Sequence, residues 1–249
     1  MDDMGPVAIL CGGRGTRLQE RTHAIPKALV EIGGRPILWH VIRIYASQGL
    51  RRFLLLTGYL GEMIEEFVRD AEWPEPVEID CLPTGLETPT GGRIALARER
   101  LGEGSFSLTY ADGVADIDLE ALAAFHRGHG RLGTVTVVRP RTQFGIADID
   151  ARDRVLAFEE KPRLDHWVIG GFFCFEPGFV DYLNADSVLE DAPLRHLAAA
   201  GELHAFRHGG FWDCMDTYKD AVVLNDLWRE GGAPWAVWDR DAAANAGAR

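Results

Sequence analysis

Short apolar runs alternate with amphipathic stretches along the first half of the chain, and that rhythm predicts its elements. Val7–Cys11 is continuously apolar, the pattern of a buried parallel strand. Glu31–Gly34 reads as a turn and Pro36 as the first position of a helix that Gly49 ends. Ile37, Leu38, Val41, Ile42 and Tyr45 recur at helical spacing and give that helix a core face. Residues 53–57 form a second apolar strand, and Glu62–Val68 a helix with Met63, Ile64 and Phe67 inward. A Trp-Pro-Glu-Pro break at 73–76 leads to a weak strand at 77–80. A loop rich in Pro, Gly and Thr covers 83–92, before a helix carrying Ile94, Ala95, Ala97, Arg98 and Leu101. Residues 105–113 read as a strand ending in an acid. Asp118 then caps a helix that buries Leu119, Leu122 and Phe125, with His126 on the same side.

Strand followed by helix, repeated, implies a mostly parallel sheet with helices on both faces. Ligands of such sheets sit at the carboxyl ends of the strands, where Gly12 and Asp112 both fall. The second half changes character. Residues 134–138, 144–149, 155–160 and 168–175 read as strands with little helix between them. Short helices follow at 179–183 and 193–200, then a last strand at 203–208 and a final helix from Asp216 or Thr217 to Arg229. No linker, internal repeat or low-complexity segment interrupts the chain, and the small polar tail at 239–249 is expected to fray.

The first strand breaks into Gly12-Gly13-Arg14-Gly15-Thr16-Arg17. Closely spaced glycines let the backbone turn tightly and aim several amides at one point, a concavity that binds phosphate oxygens. Arg14, Arg17 and, after Pro26, Lys27 add positive charge. The loop is not a P-loop, which would end in Gly-Lys-Ser/Thr. It is not the dinucleotide fingerprint either, because Leu18 stands where that motif needs its last glycine. Asp112, at a strand end and followed by Gly113, is placed to reach a hard cation; Mg²⁺ prefers one or two carboxylates plus phosphate oxygens. Asp116 and Asp118 nearby are explained by loop and capping roles, and His126, His129 and Trp212 by packing.

Composition narrows the partners. The net charge is −12, which argues against nucleic acid or an anionic membrane surface. An acidic protein that binds an anionic ligand must gather its cations locally, as the first loop does. Cys11, Cys81, Cys174 and Cys214 form no metal knuckle and no CxxC, so buried reduced thiols in a cytoplasmic protein are expected. The N-terminus MDDMGP has no basic region or long apolar stretch and does not read as a signal peptide. No apolar run approaches the ~18 residues of a membrane span.

The strings LCGGRGTRLQE and PKALVEIGGRPILWHV resemble the signature of sugar-1-phosphate nucleotidyltransferases, L-A-G-G-x-G-T-R-L followed by P-K-P. Cys11 and Ala28 replace the usual Ala and Pro. TGGRI, YADGVADID, FGIADI, FEEKP, GGFF, GFWDCMDT and LWREGGAPWAVW extend the resemblance from Val7 to Trp238, and favour the cytidylyltransferase branch, which couples CTP to glucose 1-phosphate.

The resemblance implies one α/β nucleotidyltransferase domain over 1–238, Rossmann-like and glycosyltransferase-A-like, with a mostly parallel central mixed sheet. Residues 7–130 would be the nucleotide-binding half and 131–238 the acceptor-binding half. It implies nucleotide contacts from Leu10, Gly12, Gly13, Gly15, Thr16, Arg17, Thr90, Gly91 and Gly92. Arg17, Lys27 and Lys161 would be catalytic, and Glu160, Lys161, Ile169, Gly170 and Gly171 would bind the acceptor. Asp112 and Asp216 would carry Mg²⁺, with Asp213 the competing choice to Asp216. CTP, a small phosphorylated acceptor and a homo-oligomeric state complete the implied partners. Two departures matter: Asp80–Thr90 is short for this branch, and Ile169 stands where an Asn is usual. Losing a hydrogen-bonding side chain weakens discrimination for a sugar hydroxyl, so an acceptor other than glucose phosphate, or another nucleotide, is the alternative. A non-catalytic nucleotide-sugar-binding regulator is the third reading; the presence of Arg17, Lys27, Asp112, Lys161 and Asp216 disfavours it.

Overall fold

Four consecutive buried residues, Val7–Leu10, make β1 an interior strand of a seven-stranded sheet. The computed structural model describes residues 4–15 and 24–239. Strands β4 (Arg52–Thr57) and β6 (Phe106–Tyr110) flank β1, both parallel to it, and β5 (Glu78–Pro83) lies parallel beyond β4. On the other side β11 (Val168–Phe175) runs antiparallel to β6 and to β8 (Gly133–Val138), and β12 (Leu203–Arg207) closes the edge parallel to β8. The order β12-β8-β11-β6-β1-β4-β5 draws strands from both halves into one mostly parallel mixed sheet of an α/β fold. Because the chain leaves β1 for neighbours on both sides, a crevice opens at its carboxyl end.

Side chains alternate across the pleat. Val7 and Ile9 face one core, shared with α1 (Ile37–Ser47), α5 (Leu119–His129) and α7 (Tyr218–Arg229). Ala8 and Leu10 face a second, shared with Ile94, Ala97, Leu194, Leu197 and the Phe173–Phe175–Phe179 stack. Helix α2 (Gly61–Asp70) buries Ile64, with Phe67 partly buried against the first core.

Several elements depart from the sequence reading, each for a local reason. Glu31–Ile32 and Arg35–Pro36 form a small hairpin, β2 and β3, with Gly33 and Gly34 both at positive φ in its turn. Pro36 is drawn into that hairpin, so α1 starts at Ile37. Helix α3 (Thr90–Leu96) begins at Thr90, which makes Thr90, Gly91 and Gly92 its first turn rather than a loop before it. Phe125 is 38% exposed, set against His129, His204 and Phe206 instead of the core. Residues 203–208 are not the last strand: β13 (Trp212–Cys214) follows and pairs antiparallel with β7 (Gly113–Ala115). Asp118 does cap α5, accepting from the Ala121 amide. Thr217, not Asp216, caps α7, in a capping box with Asp220. Of the expected tail, all but Asp239 lies outside the described residues. Among the described residues no helix is long and apolar enough to cross a membrane.

The C-terminal segment is fastened to α1 through His40, which is fully buried. A carbonyl can only accept and an indole N–H can only donate. His40 therefore carries its proton on Nε2, donating to Ile32 O at 2.8 Å, and accepts at Nδ1 from Trp235 Nε1 at 3.3 Å. Burial pushes its pKa down from 6.5 to about 4. The folded state thus resists protonation that the unfolded chain accepts, so this contribution is full above pH 6.5 and is lost as pH falls toward 4. Urea midpoints should fall across that window, with His40 alone accounting for about 3 kcal/mol, and a His40→Gln variant should show a flatter profile. Removing the α7 cap with Thr217→Ala should cost about 1 kcal/mol in the same assay at neutral pH.

Candidate active site

The crevice at the end of β1 is a cleft of about 470 Å³ lined by Leu10, Cys11, Gly12, Gly13, Gly15 and Lys27 on the strand side. Gly13 has open space where a side chain would stand, and Gly15 takes φ +61, so the loop presents backbone to the cleft. Thr16 and Arg17 lie outside the described residues. Arg14 pairs with Glu87 at 2.5 Å and lies over the Tyr59 ring, tying the glycine loop to the 83–89 segment opposite.

Asp112, Asp216 and Lys27 meet at one point of the cleft lining. Asp112 follows β6 by two residues, as Asp216 follows β13. The β7–β13 ladder pairs Gly113 with Cys214, and the Met215 amide donates to Asp112 O at 2.9 Å. That short pairing brings two carboxylates from distant parts of the chain beside one ammonium. Lys27 Nζ lies 2.5 Å from Asp112 Oδ2 and 2.7 Å from Asp216 Oδ1. Lys27 sits in a 3₁₀ turn set by Pro26, with Ala28 buried beneath it. Burial opposes its charge, but Asp112 and Asp216 outweigh burial and raise its pKa. Lys27 is charged at neutral pH.

The neighbouring acids have other work. Asp213 turns away from the cleft, caps its own following amide at Cys214, and has its pKa raised by burial. Asp116 accepts from the Phe211 amide at 2.7 Å and lies 3.1 Å from His208 Nε2, holding the 208–211 turn.

Thr88, Pro89, Thr90 and Arg93 form the wall opposite the loop. Gly91 and Gly92 lie behind it: added Cβ atoms would meet Ser187 at 2.8 Å and Ala185 O at 2.2 Å, and the Gly92 amide already donates to Ser187 O. Thr90 Oγ1 donates to Glu190, which also accepts from Tyr110, the residue that closes the cleft beside Asp112.

The acceptor-side candidates stand apart from this cleft. Glu160 and Lys161 follow β10 (Val155–Glu159), which pairs with β9 (Ile146–Ile149) in a two-stranded hairpin exposed on both faces. Lys161 is exposed, 3.7 Å from Glu160, and takes φ +50. Ile169, 43% exposed, precedes a bulge at Gly170 and Gly171 in β11. Gly171, at φ +79, packs against the Tyr110 ring, and Gly170 O accepts from Trp212 Nε1 at 2.6 Å. Tyr110 thus joins the two groups. His126 and His129 share Thr134 Oγ1 at 2.8 and 2.7 Å and are structural. All four cysteines are free, and burial raises each thiol pKa.

Sequence reasoning missed Arg93, Tyr110 and Glu190. Arg93 was detectable as a cation on the same helical stripe as Ala97 and Leu101, both buried.

Comparison with known proteins gives this geometry a family. The nucleotidyl transferase family model matches residues 7–210. A Bacillus subtilis (strain 168) protein called probable glucose-1-phosphate cytidylyltransferase is 42% identical over 92% of this chain and 98% of its own. The glucose-1-phosphate cytidylyltransferase of Salmonella typhi is 41% identical over 93% and 98%. Among solved structures, HddC from Yersinia pseudotuberculosis superposes with a TM-score of 0.70 at 22% identity, covering 90% of this chain and all of that one, a likeness of fold. A glycine loop, a bridging lysine and two convergent carboxylates at the end of β1, in a chain matched over most of its length, place this protein in the nucleotidyl transferase family.

Proposed function

We propose that this protein couples CTP to a sugar 1-phosphate, glucose 1-phosphate in the first instance, with release of pyrophosphate. The observation that carries the reading is Lys27 held between Asp112 and Asp216 at the mouth of the glycine loop. The names of the relatives at 41% and 42% identity support the choice of CTP and of glucose 1-phosphate.

The acceptor's phosphate is anionic near neutral pH, so attack on the α-phosphorus of CTP needs no general base. The protein's contribution is positioning and charge neutralisation. Amides of the Gly12–Gly15 loop hold the triphosphate. Lys27 binds phosphate at the reacting centre, and Arg17 is assigned the leaving pyrophosphate by resemblance. Glu160 and Lys161 bind the acceptor, Lys161 offsetting repulsion between the two phosphates. Thr90, with Gly91 and Gly92 behind it, faces the base.

Asp112 and Asp216 fit Mg²⁺. They are two part-exposed carboxylates facing a phosphate-sized cleft, which is the donor set a hard, largely phosphate-bound cation takes. When bound, Mg²⁺ supplies charge neutralisation on the phosphate oxygens.

A different acceptor is the second reading, because Ile169 offers an apolar, exposed side chain where a sugar hydroxyl would seek a partner. We read the protein as a homo-oligomer because Phe144, Ile149, Leu156 and Phe158 are all more than 60% exposed on and beside the β9–β10 hairpin. We read it as cytoplasmic because its four cysteines are unpaired.

Pyrophosphate release with Mg²⁺ tests the function, crossing CTP, UTP, dTTP, ATP and GTP with glucose 1-phosphate and other phosphorylated acceptors. Release with CTP and glucose 1-phosphate is expected. Turnover with CTP and only a different acceptor would move the substrate, and release with no pair in a protein that binds nucleotide would overturn catalysis. Asp112→Asn and Asp216→Asn should each lower kcat by about 100-fold or more while leaving a cooperative unfolding transition. Wild-type turnover in Asp112→Asn would sink the assignment.

A further inference from the structure

Arg93 has no place in the chemistry above, yet its surroundings are the most specific in the cleft. It is 4% exposed and, among the described residues, forms no ion pair. A buried charge without a counter-ion is costly unless its donors are all engaged. Here acceptors surround it. Nη1 donates to Thr57 O at 3.0 Å, Gly85 O at 2.9 Å and Thr84 Oγ1 at 2.5 Å, and Nη2 donates to Gly12 O at 3.0 Å. One guanidinium therefore gathers the end of β4, the end of β5, the first turn of α3 and the glycine loop.

Two glycines exist to admit it. A Cβ on Gly12 would stand 2.1 Å from Nη1, and one on Gly58 would stand 2.6 Å from the same atom and from Gly85 O. The carbonyl of Gly12 is held twice, by Arg93 and by the Tyr59 amide at 3.1 Å. Fixing that carbonyl fixes the next peptide plane, whose N–H belongs to Gly13. The amides from Gly13 onward are then aimed before any ligand arrives.

We propose that Arg93 is a positioning residue for the nucleotide: through the Gly12 carbonyl it presets the phosphate-binding loop and locks that loop to the opposing wall. This rests on the reading of the cleft as a nucleotide site. Arg93 touches no reacting atom, and its loss acts on the triphosphate end of binding, not on the sugar phosphate. Lysine does not replace it, because a point charge lacks the fork that reaches four acceptors.

The test is a double-mutant cycle of Arg93→Lys and Gly12→Ala, read by calorimetric binding of CTP and by KM for each substrate. Wild-type protein must first bind CTP; if it does not, the nucleotide reading itself fails. Given that binding, Arg93→Lys should raise the CTP Kd about tenfold, as one or two lost charge-assisted hydrogen bonds would. The KM for the sugar phosphate should stay near the wild-type value. Gly12→Ala displaces the same guanidinium, so the double variant should bind no worse than the weaker single. Wild-type CTP affinity in Arg93→Lys, additive losses, or an equal rise in both KM values would overturn the proposal. Should Arg93→Lys fail to fold, Thr84→Val removes one acceptor of the guanidinium without touching the glycine loop and must show a smaller loss of CTP binding with the KM for the sugar phosphate unchanged; wild-type CTP affinity in that variant would overturn the proposal.

Discussion

One lysine between two carboxylates is the constraint on which the rest of the molecule turns. Asp112 and Asp216 would repel each other at the end of the sheet, and Lys27 holds them together at 2.5 and 2.7 Å. The fold supplies each of the three from a different direction. Asp112 comes off β6, Asp216 comes off β13, and Lys27 comes from the turn after the glycine loop. Helix α7 coordinates them. Its Thr217 cap begins immediately after Asp216. Further along, Asn225 accepts from the Gly33 amide and donates to Glu31 O, and Trp228 covers Gly33 so closely that a Cβ would meet its ring at 2.2 Å. That hairpin follows Lys27 by only a few residues. The same helix thus steadies both sides of the bridge, and the Trp235–His40 contact fastens the end of the chain behind it.

The two sides of the cleft are built differently. The glycine-loop side, which we propose takes the nucleotide, is crosslinked at close range by Arg93, by the Arg14–Glu87 pair and by Glu190 across Thr90 and Tyr110. The side proposed for the acceptor hangs on a two-stranded hairpin with no buried residue in either strand.

The parts legible in the sequence were those written at short range. The apolar run of β1, the glycine loop behind it and the acid ending β6 each lie within a few consecutive residues, and the structure draws Gly12, Gly13, Gly15, Lys27 and Asp112 into one cleft. Asp216 rests on resemblance alone in the sequence; its neighbour Asp213 lies inside the three-residue β13 and Asp216 just beyond its end, and the register of that strand is set by β7, about a hundred residues earlier. Strand β13 itself is too short to show a period. Arginine on a helix reads as surface, and only the four acceptors converging on Arg93 from other segments show why it is buried. Phe125 failed in the opposite sense, an aromatic on the expected core face that packs at the surface with His129 and His204.

The most direct measurement is a crystal structure of this protein with CTP and Mg²⁺. The triphosphate is expected along the Gly12–Gly15 backbone, the ion on Asp112 and Asp216, and Lys27 turned to within about 3 Å of a phosphate oxygen. A nucleotide bound elsewhere, or bound here with Lys27 still bridging both carboxylates and no ion between them, would contradict this arrangement.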